Sequence, residues 1–429
     1  MLLELRTAKC DWLALRAKRV LMCKDENSCT LSSQFTQHAA RSPHYLISGD
    51  LLMLMNRRRW LVTSGAAGAG LLGGRSAFAF DSEVERRPFP TPYSPLPAVP
   101  IRLHFNENPY GISPKARAAT SAAFGESGQY DSPAMEELAA LIAEQERVPA
   151  DHVLVASGSS EVLALAGLAY GLAGGEVVAP APTFEGLTGY VRAVGGYVHD
   201  VPVDDRMLLD LDAMDRRMTG AVRLVFVCNP NNPTGTIVPG ERLRTFCESA
   251  SKRAIVFVDE AYHEFVEDPS HRSMVSLVRD GHNVIVSRTA SKIHGMAGLR
   301  IGFGIARPDI ILRLQRFMMG FPNVLAARAA IASYRDPEFQ SLSRSRTREA
   351  KRYLYGVLDD MKLKYVPSHA NFVLFRTGKP IQSIHRAMLD KGVMVGRPFP
   401  PFMDWCRVSM GTMDEMKVFA SAFREVMRA

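Results

Sequence analysis

Two hydrophobic rhythms alternate along most of this chain. Short apolar runs at 153–155, 176–179, 224–227, 255–258, 284–286 and 301–305, with a mixed run at 197–202, are separated by segments at 160–172, 186–194 and 241–251 whose apolar residues recur every three or four positions. The short runs, bounded by glycine, proline and asparagine, read as strands, and the periodic segments as helices. A strand that is apolar at nearly every position is buried on both faces. The pattern therefore predicts an α/β fold of three layers, a mostly parallel central sheet between two layers of helix. Ahead of it, 115–124 and 135–147 also read as helices, the second with Met135, Leu138, Leu141 and Ile142 on one face. Beyond it, 308–360 is nearly all helical. Strands at 372–375, 392–395 and 407–410 between helices then predict a smaller α+β C-terminal domain, reached through a long helix around 340–360.

The pattern does not extend to the N-terminus. Six prolines between Pro88 and Pro100 favour an extended, irregular arm. Upstream, Arg57-Arg58-Arg59 precedes an uncharged, Gly/Ala-rich run from 63 to 74 and then Ala77-Phe78-Ala79. A basic segment, a weakly apolar run and a small-residue cleavage site predict a secretory signal over 53–79, of the twin-arginine type. The run is too short to span a bilayer. Such a signal begins at the N-terminus, so Met53 or Met55 is the expected start and 1–52 a mis-assigned extension. The expected organisation continues with an arm and first helix over 80–130, a large domain over 131–340 and a small domain over 341–429. The expected location is the periplasm or beyond, or the cytoplasm if the leader is not a working signal.

Charge supports that division. The chain of 429 residues carries a formal net charge of +8, but its first 79 residues hold 11 Lys and Arg against 5 Asp and Glu. The body is close to neutral, which gives no electrostatic case for a nucleic-acid partner. Cys228, Cys247 and Cys406 in the body lie far apart, with no C-x-x-C and no zinc-type spacing, so no metal site is expected.

Candidate chemistry falls in the loops that follow strands, the edge where open α/β sheets bind ligands. Ser157-Gly158-Ser159-Ser160-Glu161 opens a helix, and its free N–H groups suit a phosphate as well as an ordinary cap. Phe184 offers an aromatic face after the next strand. Asn229-Pro230-Asn231-Asn232-Pro233-Thr234-Gly235 is a rigid turn with more asparagine than a turn needs. Asp259-Glu260 ends a buried strand in two acids, which is costly unless they are paired. Thr289-Ala290-Ser291-Lys292-Ile293-His294-Gly295-Met296-Ala297-Gly298-Leu299-Arg300 sets one lysine among small residues, with an arginine eight positions later.

In this order, Asn232-Pro233-Thr234-Gly235, Asp259-Glu260-Ala261-Tyr262, Ser291-Lys292 and Ala297-Gly298-Leu299-Arg300 resemble the fold-type I pyridoxal-phosphate enzymes of aminotransferase class I/II. Within them the chain is most similar to the histidinol-phosphate aminotransferase branch. That likeness rests on Phe105-Asn106-Glu107-Asn108-Pro109, Gln129-Tyr130-Asp131, Ser368-His369-Ala370-Asn371-Phe372 and Arg407-Val408-Ser409-Met410-Gly411. The resemblance covers about residue 100 to the C-terminus. It implies pyridoxal 5'-phosphate as cofactor, held by Lys292 as a Schiff base, with the same lysine as general base. It implies that Asp259 pairs with the pyridine nitrogen, that Asn232 and Tyr262 bond the ring oxygen, and that Phe184 stacks on the ring. Gly158, Ser159, Ser160, Thr289, Ser291 and Arg300 would hold the phosphate. Tyr130 would reach it from a second subunit, which implies a homodimer. Asn371, Arg397 and Arg407 would meet the acidic end of the substrate.

The implied activity moves an amino group between an amine and a 2-oxo acid, with L-histidinol phosphate and 2-oxoglutarate as the leading pair. One segment departs from that branch. Its arginine ordinarily follows the strand G-x-x-V directly, whereas Gly392-Val393-Met394-Val395-Gly396-Arg397 places Arg397 one position late. The cofactor loops alone do not separate this activity from transamination of another amino acid, from decarboxylation or cyclisation on the same fold, or from a catalytically silent binding protein.

Overall fold

The computed structural model describes residues 100–130 and 133–428, and the leader expected over 53–79 lies outside them. In chain order the strands are β1 (Ile101–Leu103), β2 (Val153–Ala156), β3 (Glu176–Ala181), β4 (Tyr197–Pro202), β5 (Val222–Cys228), β6 (Ile255–Asp259), β7 (Val284–Thr289), β8 (Gly302–Ile305), β9 (Tyr365–Val366), β10 (Phe372–Arg376), β11 (Val393–Val395) and β12 (Trp405–Ser409). Seven of them form one sheet in the order β2-β8-β7-β6-β5-β3-β4. Strands β4, β3, β5, β6 and β7 are parallel neighbours, while β8 runs antiparallel to both β7 and β2.

The unbroken apolar runs are buried on both faces, as the pattern requires. In β5, Val225 and Val227 point into one core with Val256, Val258, Val284 and Val286 of β6 and β7. Leu224, Phe226 and Cys228 point into the opposite core with Phe257 and Ile285. Alternate residues thus feed two helix-covered layers. Full burial of each large side chain contributes about 1.5–3 kcal/mol. The three cysteines of the body are buried free thiols.

The C-terminal lobe is entered through a helix of 24 residues, Pro337–Asp360. It holds the antiparallel sheet β12-β10-β9 and a core of its own, including Phe375, Phe419 and Phe423. One pairing lay outside the sequence reading. Strand β11 does not join that sheet but pairs in parallel with β1, from the end of the segment read as an arm. A three-residue strand just after a proline run is too short for periodicity to reveal. Its partner lies almost three hundred positions away.

The C-terminal ends of β2, β3, β5, β6 and β7 share one edge of the central sheet, so the loops at 157–160, 182–185, 229–235, 260–262 and 290–300 converge there.

Candidate active site

All but three of the expected site residues line one cavity of about 540 Å³ at that edge. The exceptions are Gly158, Asn371 and Tyr130.

At one end, the helix Ser159–Gly171 turns its N-terminus toward the cavity, and no side chain caps it. Arg300 comes back from the lysine loop with its guanidinium 3.3 Å from Ser291 Oγ, 3.4 Å from the Ser157 carbonyl and 3.5 Å from Ser160 Oγ. Gly158 does not line the cavity but makes this convergence possible. Its φ is +86°, and a Cβ there would stand 2.6 Å from Arg300 Nη2. Thr289 donates to Ser291 Oγ at 2.9 Å and accepts from Ser291 N at 3.1 Å, which fixes the first turn of the loop. Free N–H groups, hydroxyls and a guanidinium around one point form a cradle for a phosphate.

In the middle, the parallel register sets Asp259 opposite Ser287, whose hydroxyl donates to the carboxylate at 2.9 Å. Asp259 is only 2% exposed. Burial pushes its carboxyl up to about 6, against the pull of the Ser287 hydrogen bond. A buried acid so poorly compensated is suited to a cationic partner in the cavity. Its neighbour Glu260 faces away. It accepts from Arg288 Nε at 3.1 Å and Nη2 at 3.0 Å, from Ser273 Oγ and from Met274 N. The two acids that end β6 therefore have separate duties, which their spacing in sequence does not show.

The asparagine-rich turn divides in the same way. Asn229 accepts from Val238 N and Asn231 ties Pro182 and Thr183 to the turn, so both are structural. Asn232 reaches the cavity, donating to Tyr262 Oη at 3.4 Å. Asn106 donates to the same phenol at 2.9 Å.

Lys292 projects into the cavity, with Nζ donating to the carbonyls of Phe105 and Asn106 at 3.1 Å each and 5.6 Å from the centre of the Tyr262 ring. Burial, reinforced by the Arg407 guanidinium, brings the ammonium down to about 8. The amine is thus within reach of neutrality near physiological pH.

At the far end, Arg407 is buried. Its Nη1 donates to Asn232 Oδ1 at 2.6 Å, Nη2 donates to the His104 carbonyl, and Nε has no partner. Arg397 stands beside it at the surface, paired with Glu185 at 2.7 Å. The late position of that arginine has a physical reason. Gly396 donates to the Arg407 carbonyl at 2.8 Å, and a Cβ at 396 would meet that oxygen at 2.7 Å, so position 396 has no room for a side chain. Asn371 lies behind the wall, donating to the carbonyls of Asn106 and Glu107 while its Oδ1 is unpaired. Tyr130 is 91% exposed, and its nearest ring neighbour is Phe321 rather than any residue of the cavity.

Residues 99–423 match the family model described as aminotransferase class I and II. The chain belongs to that family. A histidinol-phosphate aminotransferase of Symbiobacterium thermophilum is 39% identical to this aminotransferase over 327 residues, 76% of this chain and 90% of that protein. Another, of Moorella thermoacetica, is 37% identical over 331 residues, covering 76% and 85%. Among solved structures, the histidinol-phosphate aminotransferase from Sinorhizobium meliloti in complex with pyridoxal-5'-phosphate has a TM-score of 0.71 at 26% identity, covering 77% of this chain and 91% of that one.

This aminotransferase has the α/β fold of the pyridoxal-phosphate transferases of fold type I and is a pyridoxal-phosphate-dependent transferase. The residues on the page fit that cofactor. The Gly158–Arg300 cradle, the under-compensated Asp259 and the low-lying Lys292 amine match its phosphate, its ring nitrogen and its aldehyde. Sequence reading missed three contributors, His104, Phe105 and Asn106. The first two act through backbone carbonyls, which carry no side-chain signature. Asn106 was visible only as part of a motif, not as a partner of Tyr262.

Proposed function

We propose that this aminotransferase carries the amino group of L-histidinol phosphate to 2-oxoglutarate. The observation that carries the reading is the cationic far end of the cleft, where Arg397 and Arg407 both approach the Phe399 ring, at 4.6 and 4.9 Å. 2-Oxoglutarate brings two carboxylates and histidinol phosphate one phosphate, so each has an acidic group for that end, and the curated relatives named above bear the same activity in their names. Pyridoxal phosphate, when bound, supplies an electron-withdrawing ring that accepts the electron pair released as a substrate carbon–hydrogen bond breaks.

The chain supplies the rest. Ser159, Ser160, Ser291, Thr289 and Arg300 hold the phosphate. The Asp259 carboxylate would keep a proton on the ring nitrogen, Asn232 and Tyr262 would bond the ring oxygen, and Phe184 would pack against the ring. Lys292 Nζ, in its neutral form, would hold the cofactor and, when released from it, would take the proton from the substrate carbon that bears the amino group. Arg407, steadied by Asn232 and His104, would orient the acidic group that each substrate brings to that end, with Arg397 beside it for the second carboxylate of 2-oxoglutarate.

In this reading the working unit is a homodimer. Support comes from Tyr130, whose phenol is exposed and remote from its own cavity and so is free to serve the cavity of a second copy. The reading also places the mature enzyme outside the cytoplasm, on the strength of the leader pattern at 53–79.

The test uses purified residues 80–429. The protein is expected to be yellow, to lose its visible band on addition of histidinol phosphate, and to regain it with 2-oxoglutarate. A band bleached by a different amine alone would name another donor and sink the substrate assignment. Release of carbon dioxide from an added amino acid in place of amino transfer would sink the reaction class.

A further inference from the structure

The two arginines at the far end of the cleft are held in opposite ways. Arg407 is buried, and its two terminal nitrogens are committed to Asn232 Oδ1 and the His104 carbonyl. The rings of Phe372 and Phe399 lie 5.5 and 4.9 Å from its guanidinium. Arg397 is at the rim. Its side chain is 50% exposed, and that of its partner Glu185 is 61% exposed. The partner comes from the other lobe, one residue after Phe184.

Glu185 has an alternative use that it forgoes. It occupies the N-cap position of the helix Gly186–Ala193, where a side-chain oxygen ordinarily accepts from the free N–H groups, yet it makes no such bond. Its carboxylate reaches across the cleft to Arg397 instead. An ion pair with both partners in water is weakly held, because water and salt compete for each charge. A ligand carrying a carboxylate or phosphate on an already bound frame competes for Arg397 at a high effective concentration. A ligand with no distal acid leaves the pair as it is, so Arg397 keeps its partner.

We propose that Glu185 is a specificity-determining residue. It holds Arg397 across the cleft when the ligand has no distal acid and yields it to a carboxylate or phosphate when the ligand has one, so that a single site receives both kinds. The proposal rests on the reading above in one respect, that the acidic end of the substrate lies toward Arg397 and Arg407.

The experiment uses the cofactor-loaded enzyme and two non-reacting probes, glutarate and the monocarboxylate 4-methylvalerate, whose binding is followed by the shift of the visible band. Glu185→Gln is expected to tighten glutarate by about two- to fivefold, the range that exposed ion pairs are worth. It should leave the ratio for 4-methylvalerate near one and lower KM for 2-oxoglutarate by the same factor as the glutarate constant. In an Arg397→Gln background, Glu185→Gln is expected to have no effect on glutarate. Unchanged or weaker glutarate binding in Glu185→Gln overturns the proposal. So does equal tightening of both probes, or tightening that persists without Arg397. Failure of histidinol phosphate to react would leave the glutarate cycle readable, so loss of the substrate assignment and loss of this proposal are distinct results.

Discussion

The Lys292 amine is opposed in its charged form by burial and by the Arg407 guanidinium, and its hydrogen bonds are to backbone carbonyls. The lowered value has a kinetic consequence with a definite sign. Only the neutral amine attacks an aldehyde. Capture of pyridoxal phosphate by the cofactor-free protein should therefore accelerate as pH rises and level off above about 8. An ordinary lysine would go on accelerating to roughly 10.4. Stopped-flow absorbance against pH measures this directly, and a plateau near the ordinary value would refute the role of the environment. Lys292→Ala should hold cofactor without the lysine-bound visible band and show no amino transfer. At this scale the sequence was informative wherever a side chain does the work, as with Lys292, Asp259 and Arg300. It was silent on His104 and Phe105 because any residue presents a carbonyl.

Strands β6 and β7 act as a pair, and their register sorts two adjacent acids. Asp259 meets Ser287 and the cavity, whereas Glu260 meets Arg288, which also pairs with Glu146. Although burial alone would push the Glu260 carboxyl up, Arg288 brings it below the ordinary range, so the pair is charged. Glu260→Ala would leave Arg288 buried with reduced compensation and should cost about 3–5 kcal/mol in chemical denaturation. Asp259→Asn should cost the cofactor-free protein little, because it removes a carboxylate whose charge burial disfavours.

Ser287→Ala is predicted to act through the same ladder. Loss of a donor to the carboxylate raises the Asp259 value further above about 6, so more of it is protonated at pH 7. Cofactor affinity should then fall by about tenfold at that pH, the low end for a hydrogen bond to a charged group, and recover as pH rises. Equal affinity at all pH values would exclude this route. The alternating apolar runs made the sheet legible, because full burial leaves a strong pattern. They carried no information on which acid faces the cavity, since that depends on the phase of one strand against another. Pairing of β1 with β11 was invisible because a strand of three residues leaves no pattern.

At the scale of the whole molecule, two expectations extend past the described residues or past one chain. If Tyr130 serves a second copy, Tyr130→Phe mixed with Lys292→Ala should form hybrid dimers, in which only one of the two sites keeps both groups. Sedimentation as a monomer under assay conditions would end that reading. If the leader at 53–79 works, replacing Arg57, Arg58 and Arg59 by lysine should retain the enzyme in the cytoplasm, and unchanged fractionation would count against export. Order of motifs along the chain was enough to foresee the fold and the family. The substrate end was less legible, because Gly396 and Arg397 are placed by packing against Arg407.

The short segment 101–106 has a further bearing on processing. Strand β1 pins it to β11, and its last residues supply both carbonyls that receive the Lys292 amine, the carbonyl that receives Arg407 and the amide that steadies Tyr262. Any trimming of the N-terminus that keeps activity must therefore stop ahead of this segment. A cut that removes the chain through Asn106 would discard no residue of the cofactor loops, yet it would strip Lys292 of both its acceptors and Arg407 of one of its two.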